Sequence, residues 1–196
     1  MHNTSKKQEI LLRAANLFAE RGYEAVSMRD LGKVLQMTPA NLYHHFADKE
    51  ALYREILLGV FARIQGVLEL PTKGESPKSY LRQLVCNIIA FLLNDTVFTR
   101  LMFRELSSDC HERTVFLVEN ALRPIYDKIA DSLAQLFDSR VVTNMLDMLV
   151  SSIIGYVHMS QIFSILHRDG SYVTDSETIT SRILAALTIP EANSEA

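Results

Sequence analysis

Cysteine is nearly missing from this 196-residue chain, with Cys86 and Cys110 its whole complement. Two isolated thiols rule out a disulfide framework and a cysteine-built zinc site, and they suit a reducing, cytoplasmic setting. Glycine and proline are also sparse, at seven and five residues, and no glycines stand at the spacing of a phosphate-binding loop. No strand-like alternation of apolar and polar residues occurs, and no segment repeats. The first residues are polar and charged, without an apolar run, so neither a secretory leader nor a membrane span is expected. Absent too is a nucleophile with a base, or a carboxylate pair, at catalytic spacing, so the chain is not read as an enzyme and no cofactor is called for.

What is present is ordinary for a folded protein: 48% hydrophobic residues, 22% charged residues and a net charge of −3. The length permits a small head and a larger body. Charge is unevenly spread. Up to Arg54 there are eight Lys or Arg against six Asp or Glu, and beyond it twelve against seventeen. The excess is too small for indiscriminate nucleic-acid binding, because that electrostatic contribution scales with the phosphates neutralised.

The informative stretch is Ser27 to Lys49. Ser27 with Asp30 has the form of a capping box, and Met28, Leu31, Val34 and Leu35 recur at helical spacing, leaving Arg29 and Lys33 outward. After Gln36 and Met37, Thr38-Pro39 supplies an N-cap and a preset first helical residue. Leu42 and Phe46 then face inward, which leaves Thr38, Ala40, Asn41, Tyr43, His44 and His45 on the other faces. His44 and His45 point about a third of a turn apart with no carboxylate or cysteine at ligand spacing, so no metal is expected. A helix this short needs outside support. Upstream, Ser5-x-x-Gln8 reads as another capping box, followed by a stripe of Ile10, Leu11, Ala14, Leu17 and Phe18. Gly22 sits where a left-handed residue ends that helix, with Tyr23 placed to touch Phe18 in a Schellman closure. Downstream, Asp48 caps a longer stem through Leu52, Ile56, Val60 and Ile64.

In this order of pieces, residues Lys6 to Ile56 resemble the N-terminal domain of the TetR (tetracycline repressor) family of transcriptional regulators. The resemblance rests on Ile10-Leu11-x-x-Ala14-x-x-Leu17-Phe18, Gly22-Tyr23, Ser27, and Leu42-Tyr43-x-His45-Phe46-x-x-Lys49-x-x-Leu52. It implies an all-α fold with a three-helix helix-turn-helix DNA-binding domain at 1–55 (motif 27–46) and a helical effector-binding and dimerisation domain at 56–196. It further implies a homodimer on palindromic double-stranded operator DNA, usually as a repressor released by a small-molecule effector. The DNA contacts it implies are Thr38, Ala40 and Asn41 near bases, Tyr43 and His44 near phosphate or a thymine methyl, Lys49 on phosphate, and Ser27, Met28 and Arg29 on backbone, with Pro39 and His45 counted among the DNA-binding residues. Pro39 departs from many relatives, where a polar or basic residue could read a base.

Beyond the stem, Pro71, Gly74 and Pro77 interrupt the helical pattern, and helices follow at about 77–92, 97–106 and 111–137, the last holding Pro124. A kink or split is expected there. Val141 to Leu166 is apolar on nearly every side, and a final helix spans Ser176 to Leu187 before Pro190. A helix apolar all round must be covered all round. With the resemblance, 141–166 and 176–187 are the expected dimer surface. Candidates for an effector pocket are the polar or polarisable residues within apolar runs: Cys86, Asn87, Phe91, Phe103, Arg104, Glu105, Tyr126, Tyr156, His158 and Met159. The competing reading is a helical sensor or carrier that acts on a protein partner without DNA.

Overall fold

The computed structural model describes residues 2–69, 76–168 and 172–187, with side chains from Lys6 onward. Among them there is no strand. The helices are α1 (His2–Arg21), α2 (Met28–Leu35), α3 (Pro39–Tyr43), α4 (Lys49–Phe61), α5 (Gln65–Leu68), α6 (Pro77–Asn94), α7 (Thr96–Leu106), α8 (His111–Leu117), α9 (Arg123–Ala134), α10 (Ser139–Leu166) and α11 (Ser176–Ala186). A 3-10 turn at Ala62–Ile64 follows α4, and a π-helical turn at Val118–Leu122 joins α8 to α9. Pro71, Gly74 and Pro190 lie outside the described residues.

The helix ends follow local chemistry. Asp48 accepts from the Ala51 N–H at 2.7 Å and Asp95 from the Phe98 N–H at 3.0 Å, opening α4 and α7. Ser76 accepts from the Ser79 N–H at 3.2 Å ahead of Pro77, and Asp175 accepts from the Thr178 N–H at 2.9 Å to open α11. Each such cap satisfies an N–H group with no partner inside the helix. Ser5 is a correction: α1 already runs from His2, so this residue lies within the helix and is not its cap. No proline or glycine precedes it to stop the helix sooner. The expected kink at Pro124 takes the form of the π turn. Proline has no N–H to return to the Asn120 carbonyl, and the wider turn just before it absorbs the lost bond.

Two compact units emerge. One comprises Met1–Arg63 with Asp95–Leu122, the other Ile64–Asn94 with Arg123–Ala196. The sequence reading closed the head at residue 55; in the structure that unit runs on to Arg63 and takes in α7, α8 and the π turn. Its core is aromatic. Phe18, Tyr53, Phe61 and Phe98 are fully buried, with Phe61 edge-on to Phe98 at 5.5 Å and Phe18 edge-on to Tyr53 at 4.8 Å. Burial of each such ring stabilises by roughly 1.5–3 kcal/mol relative to exposure. Such contacts bring α1 against α4 and α7, which no helical repeat announces.

The second unit packs α6 (Leu84, Val85, Ile88, Ile89) with α9 (Ile125, Ile129, Leu133), α10 (Met145, Leu146, Leu149, Ile153, Val157) and α11 (Ile179, Ile183). Arg82 ties α6 to α11 by donating to Glu177 at 2.8 Å and to Ser181 at 3.0 Å. α10 is long and apolar enough to cross a membrane, with a mean hydropathy of 1.5. Its buried stripe nonetheless packs within this unit, and Asp147 and His158 lie along its exposed sides.

The end of α1 differs from expectation in its bonding. Gly22 has φ +83° and donates to the Phe18 carbonyl at 2.8 Å, a single left-handed closure without the second bond of a Schellman motif. Tyr23 does stack on Phe18, with centroids 6.2 Å apart. Two further carbonyls are taken by Arg104 of α7, whose Nε donates to Ala19 at 3.0 Å and whose Nη2 donates to Glu20 at 2.6 Å. A Cβ at Gly22 would stand 2.8 Å from Arg104 Nη1. Gly22→Val therefore meets both positive φ and the guanidinium. We expect a loss of about 1–3 kcal/mol in a urea melt; an unchanged midpoint would show that neither constraint binds.

Candidate nucleic-acid interface

Ser27 opens α2 with the capping box intact. Its Oγ accepts from the Asp30 N–H at 3.2 Å, while its own N–H donates to Asp30 Oδ2 at 3.1 Å. The Ser27 hydroxyl, which also donates to Asp30 Oδ2 at 2.5 Å, and then the Ser27 N–H hold the Asp30 carboxyl below the usual carboxylate range. α2 ends on Gln36 in the left-handed region at φ 55°. The Gln36 N–H donates to the Lys33 carbonyl at 3.3 Å and the Met37 N–H to the Gly32 carbonyl at 2.8 Å. This pair of bonds is the Schellman pattern, so it closes α2 and not α1. Arg13 of α1 donates to the Val34 carbonyl in the same last turn.

Gly32 makes this turn possible. A Cβ there would lie 2.7 Å from the Met37 carbonyl oxygen and 3.6 Å from Pro39 Cδ. The chain folds back tightly against α2, and α3 begins two residues later. Thr38 caps it by accepting from the Asn41 N–H at 3.2 Å, with Pro39 as the first helical residue. Five residues cannot sustain a helix alone. Leu42, fully buried, and Phe46, 3% exposed, anchor it from beneath. The Lys7 ammonium lies 5.2 Å over the Phe46 ring and pairs with Glu55 at 2.7 Å.

With those anchors facing in, Thr38, Pro39, Ala40, Asn41, Tyr43 and His44 all face solvent, Tyr43 at 53%. His45 is half-buried, its ring 6.3 Å from Phe46. Ser27 and Arg29 are also exposed. The outer face thus carries hydroxyl, amide, phenol and imidazole groups and no carboxylate. Such groups suit the donor and acceptor edges of bases and the oxygens of phosphates.

Two expected contact residues are placed otherwise. Met28 is 8% exposed and belongs to the core of the head. Lys49 donates to the carbonyls of Tyr23 at 3.0 Å and Val26 at 3.1 Å, with its ammonium 4.0 Å over the Tyr23 ring. Its charge therefore staples the loop ahead of α2, and the picture of a free lysine waiting for phosphate is corrected. Sequence reasoning missed Gly32 and Gln36, which shape the turn after α2; of the two, Gly32 alone left a trace, as an isolated glycine in a helical pattern.

The ten pocket candidates divide between the two units. Phe103, Arg104 and Glu105 lie in the first unit, while Cys86, Asn87, Phe91, Tyr126, Tyr156, His158 and Met159 lie in the second. Arg104 caps α1, and Glu105, 2% exposed, bonds Tyr53 and Arg113. Cys86 faces Ser176 at 3.5 Å and Glu177 at 3.3 Å, and Asn87 accepts from Gln83 at 2.8 Å. Tyr126 donates to Asp147 at 3.0 Å, Tyr156 packs on Phe163 at 6.0 Å, Phe91 and Met159 are half-buried, and His158 is exposed. A groove of about 630 Å³ appears instead in the first unit, between Arg54 of α4 and the Glu112, Val115, Phe116 and Glu119 face of α8 and the π turn. Among the described residues no group of three His, Cys, Asp or Glu could hold a metal.

Comparison with known proteins places this geometry. Residues 10–56 match the family described as bacterial regulatory proteins, tetR family. Over 69 residues the chain is 39% identical to the HTH-type transcriptional repressor KstR2 of Mycobacterium tuberculosis, covering 33% of this chain and 34% of that one. With KstR2 of Rhodococcus jostii it shares 36% over 83 residues, 42% of this chain and 41% of the other. The chain thus spans about a third to two fifths of the length of these curated relatives. Among solved structures, a TetR-like transcriptional regulator from a Rhodococcus species superimposes with a TM-score of 0.74 at 16% identity, over 94% of this chain and 97% of that one. The TetR-family regulator PfmR of Thermus thermophilus gives a TM-score of 0.65 at 24% identity, over 91% and 96%. At these identities the likeness is one of fold.

The turn can be tested directly. Gln36→Gly relieves a non-glycine left-handed residue and is expected to stabilise by about 0.5–1 kcal/mol. Gly32→Ala is expected to cost about 1–3 kcal/mol, because the Met37 carbonyl must move. Paired thermal melts that failed to shift in opposite directions would contradict the turn described.

Proposed function

We propose that this chain, a tetR-family regulator in its N-terminal domain and in its fold, is a cytoplasmic, non-enzymatic repressor that binds a palindromic operator as a homodimer and responds to a small molecule. The observation that carries the reading is the solvent-facing side of α3, anchored by Leu42 and Phe46 and free of acid. In that reading Thr38, Ala40 and Asn41 meet base edges in the major groove. Tyr43, His44, Ser27 and Arg29 meet phosphate or sugar. Pro39 fixes the first turn and reads nothing.

The second copy has a surface to meet. Along α10, Met148, Ser152, Gly155, Met159, Ile162 and Leu166 recur at alternating spacings of four and three, the period of a helix seam. Met148 is 58%, Ile162 46% and Leu166 65% exposed, and a Cβ at Gly155 would meet nothing. This stripe lies away from the buried face of α10. Pairing it with a copy of itself covers the apolar surface and doubles the DNA contacts of a lightly charged head, which supports the α10 part of the expected dimer surface; α11 is kept with it on the resemblance alone. The sensed molecule is the family-level part of the reading; the groove beside Arg54 has a volume suited to a small ligand.

The test is retention of fragments from the source genome, followed by titration on a retained duplex at several salt concentrations. Asn41→Ala is expected to weaken binding by on the order of 1–3 kcal/mol and to relax preference at one base position. Arg29→Ala is expected to weaken all sequences alike and flatten the salt slope by about one unit. Ile162→Asp is expected to yield monomers by analytical ultracentrifugation with the fold intact by circular dichroism. A parent that ignores every duplex while holding a protein partner would favour the sensor or carrier reading.

A further inference from the structure

Tyr23 stands four residues ahead of Ser27, between the end of α1 and the start of the motif. Its ring is enclosed on several sides. Phe18 stacks on it at 6.2 Å and Tyr53 tilts against it at 4.9 Å, while the Lys49 ammonium lies 4.0 Å and the Arg113 guanidinium 4.5 Å from its centre. Lys49 fastens the loop backbone through the Tyr23 and Val26 carbonyls. Arg113, from α8, touches the ring.

The guanidinium of Arg113 is itself held in place. Its Nε donates to Glu105 Oε2 at 3.1 Å and its Nη2 to Ser108 Oγ at 3.1 Å, with Glu24 a further 3.6 Å neighbour. The other oxygen of Glu105 accepts from the Tyr53 hydroxyl at 2.5 Å. Both carboxylate oxygens are thus engaged, with the Glu105 side chain 3% and the Arg113 side chain 13% exposed. As a source of stability this is a poor choice, since apolar side chains of the same volume generally do as well or better in such a site. What an ion pair of this kind adds is direction. A planar guanidinium, fixed along its edge by Glu105 and Ser108, presents a flat face at a set height, which a lysine ammonium cannot do.

We propose that Arg113 is a positioning residue for DNA docking: fixed by Glu105, it stacks on Tyr23 and so sets the direction in which α2 and α3 leave the core of the first unit. The inference rests on the DNA-binding reading for its consequence, while the clamp itself is a property of the free protein. Because α8 supplies Arg113, the head is oriented by a helix well outside the first 55 residues.

The experiment compares the full-length parent with Arg113→Lys and with a paired variant, Glu105→Leu and Arg113→Met built together with Tyr53→Phe, which replaces the buried charges by apolar side chains and leaves no buried phenol without its acceptor. Three quantities are read: the thermal midpoint, amide exchange across Tyr23–Met28, and affinity for a genomic duplex that the parent retains. The paired variant should melt no lower than the parent, yet exchange faster in this segment and lose duplex affinity by about tenfold or more. Arg113→Lys should lie between, its charge kept and its flat face gone. Parent-like exchange and affinity in the paired variant at equal stability would overturn the proposal. If the paired variant does not fold, Tyr23→Leu takes its place, keeping the apolar contact while removing the ring, and the same outcomes decide. A parent that binds no duplex defeats the DNA-binding reading alone, and exchange across Tyr23–Met28 then judges the clamp.

Discussion

A helix of five residues has almost no hydrogen bonds of its own, so the direction of α3 is a property of what holds it. Leu42 and Phe46 supply that hold by burial, and the two backbone hydrogen bonds of the Gln36 turn fix the angle at which the chain arrives. The outward face of Thr38, Asn41 and Tyr43 is the remainder once those anchors are satisfied. Chemistry at this surface therefore depends on packing beneath it. A shift of Leu42 by one position would rotate every polar group on α3 away from its present direction.

The support reaches further into the chain than the head suggests. Three helix C-terminal or loop regions leave carbonyls without intrahelical partners, and in each case a long cation from elsewhere reaches them: Arg13 at the end of α2, Arg104 at the end of α1, Lys49 at the loop between. Such side chains lay an apolar stem along the core and deliver the charge at its edge. Burial and the Glu105 hydrogen bond push the Tyr53 phenol well above its ordinary range, so it stays protonated and donates. The polar interior of this unit is consequently a satisfied network, in which each group limits the freedom of the next.

The second unit answers a different constraint. α10 leaves apolar surface uncovered by its own unit: Met148, Ile162 and Leu166 lie along a stripe with Gly155 in its middle, and Ile165 stands exposed to one side of it. Small residues on a helix face permit close approach of a second helix, which is what the proposed pairing of two copies along α10 requires. The groove beside Arg54 shows how modest a sequence signal a cavity leaves. Its lining comes from α4 and from one face of α8 and the π turn, and each residue taken alone reads as ordinary surface.

Most helix ends, the order of the motif and the inward side of α3 were legible in the residues themselves, because a cap, a proline or an apolar spacing acts within a few positions; the start of α1 and the exposed Val34 of α2 were not. Ser27 with Asp30, Thr38 with Pro39, and Asp48 are of that kind. Gly22 was legible as a stop but not as to its bonding, and Gln36 was invisible, since a left-handed glutamine carries no compositional mark. The partners of Lys49, Arg104, Glu105 and Arg113 were decided by tertiary structure alone. A long charged side chain has many reachable partners, and only the packing of helices separated by dozens of residues determines which of them lies within hydrogen-bond distance.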